Sequence, residues 1–301
     1  MTLTEARKRF LAHCNSAINL SHHSLRAYSS DLDDIQRYFG LRRQLTLVKK
    51  EQLRQYIHHL REQRQLKETT IKRRLASFKL LLRWAQEEQL LETNPFDTLY
   101  ERIRLPKRLP RALDRGDHDA LRKAITLRPR IDDFDALRLK TAIHLLLDTG
   151  IRVGELAAID LDDVSMEGRH VVIHGKGNRQ RLVYLLQKSL HLKIERYLTS
   201  RSALATPSKR LFVTSAGSPI TSATLRAELR NLAEGAGITR RVTPHMLRHT
   251  CATQWLEAGL DIRYVQKLLG HQSISTTEIY THVSDQGLRE ALFKATGGST
   301  R

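Results

Sequence analysis

Residues Arg102-Ile-Arg-Leu-Pro-Lys-Arg-Leu-Pro-Arg111 decide how the chain is organised. Its two prolines lack the amide that a helix interior or a central strand needs, and its five cations have no acid among them. Such a stretch reads as an extended, basic linker. It divides the 301 residues into a domain over 1–101, a linker over 102–112 and a second domain over 113–301. A chain of this length has material for about two separate cores.

Upstream of the linker the periodicity is helical. Thr4 precedes Ala6, Phe10, Leu11 and Cys14 at helical spacing, and Ser24 suits the cap of a second helix carrying Leu25, Tyr28, Leu32, Ile35 and Phe39, ended by Gly40. A third helix runs from about Lys50 to Gln63 with Leu53, Ile57 and Leu60 on one face. The fourth, capped by Thr69 or Thr70, has an apolar stripe of Ile71, Leu75, Phe78 and Leu82. Lys72, Lys79 and Arg83 stand on another face at i, i+7 and i+11, with Arg73 and Arg74 beside them. A helix of this kind packs on its own domain and offers cations to phosphates, although a solvated basic face is the plainer alternative. Asn94-Pro95 ends the region, because a residue before proline is pushed out of the α conformation.

The charge balance agrees with a polyanionic partner. There are 51 Lys and Arg against 32 Asp and Glu, a net +19, and residues 41–110 hold 17 of those cations with 8 acids. Such clustering favours nucleic acid, where neutralised phosphates release counterions. No apolar run approaches the ~20 residues of a membrane-spanning helix. Glu5, Arg7, Lys8 and Arg9 are unlike a secretory signal, and two cysteines, Cys14 and Cys251, are too few for a disulfide framework. A soluble, intracellular protein is expected.

Downstream, Asp114 or Asp117 suits the cap of a helix reaching Thr126, and Leu137–Leu147 forms a strongly apolar helix stopped by Thr149-Gly150. His170–His174 and Gln180–Leu185 read as a β-hairpin turning through Gly175-Lys-Gly-Asn178. Helices follow at about 187–200, 222–235, 244–258 and 261–269. Tyr28, Tyr38, Tyr56 and Tyr264 read as packing residues, and His249 as structural.

Four pieces of this half carry chemistry. Arg152 follows a helix end with Glu155 placed to pair with it; Lys176 sits on the hairpin turn; His245 and Arg248 share a face of a helix started by Pro244; His271 precedes Tyr280 by nine residues. Each is weak alone. Together, two guanidiniums suit a phosphodiester and the extra charge of a pentacoordinate transition state. A phenol is a nucleophile when a neighbour takes its proton, and a lysine or histidine can protonate a leaving oxygen. No cluster of carboxylates accompanies them, and His245 with His249 lacks the acid of a zinc HExxH pair. The reading is metal-free transesterification of DNA through a tyrosyl phosphate, without a cofactor.

The order Arg152, Lys176, His245, Arg248, His271, Tyr280 resembles the active-site set of the tyrosine recombinases, or phage integrase family. TGIRVGEL (149–156), HGKGNRQR (174–181), TPHMLRHT (243–250) and LLGHQSISTTEIYTHV (268–283) are similar to its Xer-like branch, and TTIKRRLASFKLLLRWAQEEQLLETNP (69–95) to its DNA-binding domain. The resemblance implies a mainly α fold with a small β-hairpin or sheet in the catalytic domain. It also implies a C-shaped clamp made of a helical SAM-like core-binding domain and that catalytic domain. Tyr280 is then the nucleophile, leaving a 3′-phosphotyrosyl bond and a free 5′-hydroxyl. Arg152 and Arg248 hold the non-bridging oxygens, Lys176 is the general acid, His245 assists proton transfer and His271 hydrogen-bonds the phosphate. Glu155 and His249 support them. DNA contacts are expected from Thr70, Lys72, Arg73, Arg74, Lys79, Arg83, Lys107, Arg108, Arg179 and Arg181.

The same resemblance implies double-stranded DNA with short inverted repeats as substrate, exchange through a Holliday junction, and a tetramer on DNA. No ATP and no metal are needed, and a partner recombinase or accessory protein fits the scheme. A helix over 285–295, with Leu288, Leu292 and Phe293, is expected either to dock on a neighbour or to pack on its own domain. A cytoplasmic, nucleoid-associated bacterial setting follows. Two other readings share some of these features: a DNA-binding regulator with a decayed site, and a type IB topoisomerase.

Overall fold

The computed structural model describes residues 1–16, 20, 22–99, 112–126, 133–175 and 180–270. The chain divides into two compact units, Met1–Lys107 and Arg108–Arg301.

The first unit is helical: α1 (Leu3–Ser16), α2 (His22–Phe39), α3 (Lys50–His58), continued by one π turn at His59–Gln63, and α4 (Glu68–Glu87). The apolar stripes meet as their spacing demands. Phe10 of α1, Leu32 and Ile35 of α2, Leu53 and Ile57 of α3, and Ile71, Phe78 and Leu82 of α4 are all buried in one core. Gly40, at φ +93°, ends α2 in the left-handed region that glycine adopts without penalty. Two starts differ from expectation. Ser24 lies inside α2. Lys67, not Thr69 or Thr70, is the extended residue before α4, and Thr70 donates its amide to the Lys67 carbonyl within the first turn. Glu68 then occupies that turn, where its charge suits the helix dipole, and pairs with Arg61 at 2.8 Å.

Between α2 and α4 lie two buried carboxylates. Asp31 accepts from Arg73 (2.5 Å) and the Ser77 hydroxyl (2.9 Å). Asp34 accepts from Arg74 (2.5 Å), the Tyr56 hydroxyl (3.1 Å) and Arg64. Burial pushes the Asp34 carboxyl up, but the Arg64 and Arg74 guanidiniums outweigh it and hold it below the usual carboxylate range. A group held low in the fold and near ~3.9 when unfolded stabilises fully above about pH 4 and loses that contribution as pH falls. Asp34→Asn is therefore expected to cost about 2 kcal/mol at neutral pH. Urea unfolding at neutral pH and near pH 3 should show the gap to wild type closing in acid; a constant gap would mean that the charge is not what holds the arginines.

The second unit is built on α6 (Phe134–Thr149), which is buried nearly all round, as its apolar content requires. Around it pack α5 (Arg115–Thr126), α8 (Lys188–Ser202), α9 (Ser222–Gly235) and α10 (Pro244–Glu257). The Asp114 side chain receives the Asp117 amide at the start of α5 (2.9 Å). Polar groups on α6 are paired where they enter the core: Arg138 with Glu228 at 2.5 Å, and Asp148 with both Arg122 (2.5 Å) and His144 (3.1 Å). Leu113 is buried in this core and donates its amide to the Thr250 hydroxyl on α10 (2.8 Å).

The expected hairpin is present as β2 (His170–His174) and β3 (Gln180–Tyr184), in register from His170 opposite Tyr184 to His174 opposite Gln180. A two-residue strand, β1 (Val164–Ser165), extends it to an antiparallel three-stranded sheet in the order β1-β2-β3; so short a strand leaves no alternation to read. A five-residue helix, α7 (Val153–Ala157), was likewise not legible, and α11 (Ile262–Leu269) closes the described chain. Tyr264, expected to pack, is 62% exposed, because α11 buries Val265 and Leu269 and so turns Tyr264 outward. Tyr38 is also partly exposed, over Tyr56 and His59, whereas Tyr56 is buried. Among the described residues no helix is long and apolar enough to cross a membrane.

Candidate active site

The site begins where α6 stops. Gly150 takes φ +60°, and a Cβ there would lie 2.8 Å from Leu269 Cδ2 and 3.4 Å from Cys251 Sγ. Both the backbone hand and the close approach of α10 and α11 therefore require glycine. Two residues on, Arg152 precedes α7, and Glu155 reaches back to accept the Arg152 amide (2.9 Å) and guanidinium (2.8 Å). The Arg152 side chain is half exposed, while that of Glu155 is nearly buried.

Glu155 has a second arginine. Arg181, on β3, donates Nη1 to Oε1 (3.1 Å) and Nη2 to Oε2 (2.7 Å), and its Nε donates to the Leu268 carbonyl of α11 (2.9 Å). Burial raises the Glu155 carboxyl, but hydrogen bonds and charge from Arg181 and Arg152 exceed that effect and hold it below the usual range. It stays a carboxylate at neutral pH and keeps both guanidiniums in place.

Thr243 caps α10 by accepting the Met246 amide, and Pro244 fills the first helical position, where its missing N–H costs nothing. His245, in that first turn, is exposed; Arg248 and His249, a turn later, are buried. Arg248, 3% exposed, donates Nη1 to the Gly150 carbonyl and Nη2 to the Leu269 carbonyl, both at 2.7 Å. Two arginines from different elements thus hold consecutive carbonyls, Leu268 and Leu269, in the last turn of α11. Cations at a helix C-terminus satisfy carbonyls that have no intrahelical partner. The chain then leaves through Gly270, left-handed at φ +67°, directly before His271.

The structure therefore brings Arg152, Glu155, Arg181 and Arg248 into one connected set, with His245 and His249 on the same helix as Arg248. Lys176, Arg179, His271, Tyr280, the linker residues Lys107 and Arg108, and the expected helix over 285–295 lie outside the described residues. Of the expected DNA contacts in the first unit, Lys72, Lys79 and Arg83 are exposed on α4, Arg83 pairing with Glu87 at 3.1 Å, and Thr70 is half-buried. Arg73 is half exposed while bonded to Asp31, and Arg74 is drawn inward by Asp34. Arg181 is drawn inward too, by Glu155. Both inward turns were marked in the sequence. Arg74 falls at helical spacing between Ile71 and Phe78, and strand alternation puts Arg181 on the side of Val183 and Leu185. Asp31 and Asp34, which gather the arginines, carried no local signal.

Residues 117–287 match the profile of the phage integrase family, and residues 8–89 that of the phage integrase N-terminal SAM-like domain. Tyrosine recombinase XerC of Listeria innocua is 34% identical over 301 residues, across 96% of this chain and 97% of that protein. Tyrosine recombinase XerD of Halalkalibacterium halodurans is 33% identical over 296 residues, across 96% of each. Among solved structures, the XerH site-specific recombinase bound to its palindromic difH substrate in a post-cleavage complex has a TM-score of 0.77 at 23% identity, over 96% of this chain and 85% of that one, a likeness of fold. Motif order, two-unit helical architecture and whole-length relatives agree: the chain belongs to the phage integrase family and is a tyrosine-type site-specific DNA recombinase.

Proposed function

We propose that the chain breaks and reseals DNA with Tyr280 as nucleophile and Arg152 and Arg248 as the phosphate clamp. The Tyr280 oxygen bonds to phosphorus as the bond to the 5′-oxygen breaks; the phenol proton leaves by way of His245, and Lys176 gives its proton to the departing 5′-oxygen. His271 hydrogen-bonds the phosphate. The ester keeps the bond energy, so a free 5′-hydroxyl from another strand can reverse the step and complete an exchange. The observation that carries this reading is the convergence of Arg152, through Glu155 and Arg181, and of Arg248 on the last turn of α11, the point from which the chain runs to His271 and Tyr280. Strand exchange through a Holliday junction, paired inverted-repeat sites, a tetramer joined through residues 285–295, accessory or partner recombinases and a nucleoid-associated cytoplasmic setting belong to the same proposal. Lys72, Lys79 and Arg83 are its phosphate contacts in the first unit.

The test uses a duplex selected from a random-sequence pool by the wild-type chain and nicked beside the cleaved bond, so that the released fragment diffuses away. An SDS-resistant protein–DNA adduct is expected. Binding without any adduct would leave a DNA-binding protein lacking the chemistry. Relaxation of supercoiled plasmids that lack the site would point to a topoisomerase.

A further inference from the structure

We infer that Arg181 is a positioning residue for strand cleavage and not a DNA contact: its guanidinium locks β3, the Glu155 carboxylate and the last turn of α11 into one rigid piece. The inference rests on the recombinase chemistry proposed above. All three guanidinium nitrogens donate to protein acceptors, two to Glu155 and one to the Leu268 carbonyl. The side chain is 14% exposed. It also lies flat against Gly270, where a Cβ would stand 3.2 Å from Arg181 Cδ and Nη1. Three of its five N–H donors are thus held by protein acceptors, and the group faces Glu155 and α11.

What it joins gives the role. β3 starts four residues after Lys176 in the sequence. Glu155 is the carboxylate that orients Arg152. Leu268 lies three residues before His271, beside the Leu269 carbonyl that Arg248 holds. One side chain therefore ties together the supports of four candidate catalytic groups contributed by separate elements. A lysine cannot substitute, because a point charge does not clamp two carboxylate oxygens and reach a carbonyl on the far side at once.

The experiment compares full-length wild type, Arg181→Lys and Arg181→Ala on the selected nicked duplex. Affinity is measured across a salt series, and single-turnover cleavage at saturating protein. Affinity and salt slope are expected to match wild type. The saturated rate constant should fall on the order of tenfold for lysine and further for alanine, with full final cleavage, since small displacements of reacting groups are costly in rate. Adding Glu155→Gln to Arg181→Lys should cost less than the product of the single effects, as for residues acting through one contact. Weaker binding with a salt slope shallower by about 0.9, and a wild-type rate at saturation, would make Arg181 a phosphate contact and overturn the inference. A lower final yield at an unchanged rate constant would reduce it to a stabilising residue, and equally overturn it. Where alanine fails to fold, lysine carries the test. If wild type itself forms no adduct, the recombinase chemistry falls and this inference with it; if wild type cleaves and both variants cleave alike, only the inference falls.

Discussion

Tyr280→Phe is expected to abolish the SDS-resistant adduct, a loss of at least ~10⁴-fold in cleavage, while DNA binding stays as in wild type. The phenyl ring keeps the bulk and removes the one atom that the proposed scheme sends to phosphorus. The chain has eight tyrosines, so the assignment has rivals, and the structure narrows them. Tyr56 and Tyr197 are buried, and their hydroxyls donate to Asp34 and to the Leu211 carbonyl. Burial pushes both phenols above their ordinary range, the reverse of what a nucleophile needs. Tyr264 is the sharper rival, because it is exposed on α11, one turn before the carbonyls that the two arginines hold. An adduct that survives Tyr280→Phe and vanishes in Tyr264→Phe would move the chemistry to that helix.

The second large effect is expected at Arg248. Replacement by lysine should lower the saturated cleavage rate about 10²–10³-fold, the usual consequence of removing one preorganised donor from a charged transition state. Arg248→Ala should in addition weaken the fold by about 2 kcal/mol, since the Gly150 and Leu269 carbonyls each lose a buried donor. For a unit of this size that is a fall of roughly 4–8 °C in Tm. Thermal unfolding and single-turnover cleavage, measured on the same preparations, separate the two effects. A lower Tm with a wild-type rate at saturation would make Arg248 a structural tie and remove it from the phosphate clamp.

Local rules reached a long way into this protein. The glycine after α6, the Pro244 start of α10 and the two strands at 170–174 and from 180 onward all follow from turn chemistry, helix-start preference and β-branched content, which act over a few residues. Glu155 was legible for the same reason, being three residues from Arg152. What could not be read were contacts across distance. Asp31 meets Arg73, and Asp34 meets Arg74, on a helix some forty residues later, and nothing near either aspartate announces it. Arg181 stands in a run of cations, which invited a role at the DNA surface. The pleat of its strand instead turns it inward, where a carboxylate from another element was waiting.

The pair of guanidiniums on Leu268 and Leu269 has a mechanical consequence. Tyr280 follows Gly270 by ten residues, so chain geometry alone keeps it within about 35 Å of that glycine. The last turn of α11, directly before that glycine, is held by side chains from β3 and α10. A change at Arg181 or Arg248 that shifts this turn therefore moves the origin of that reach without touching the tyrosine, and the damage would be felt at a distance.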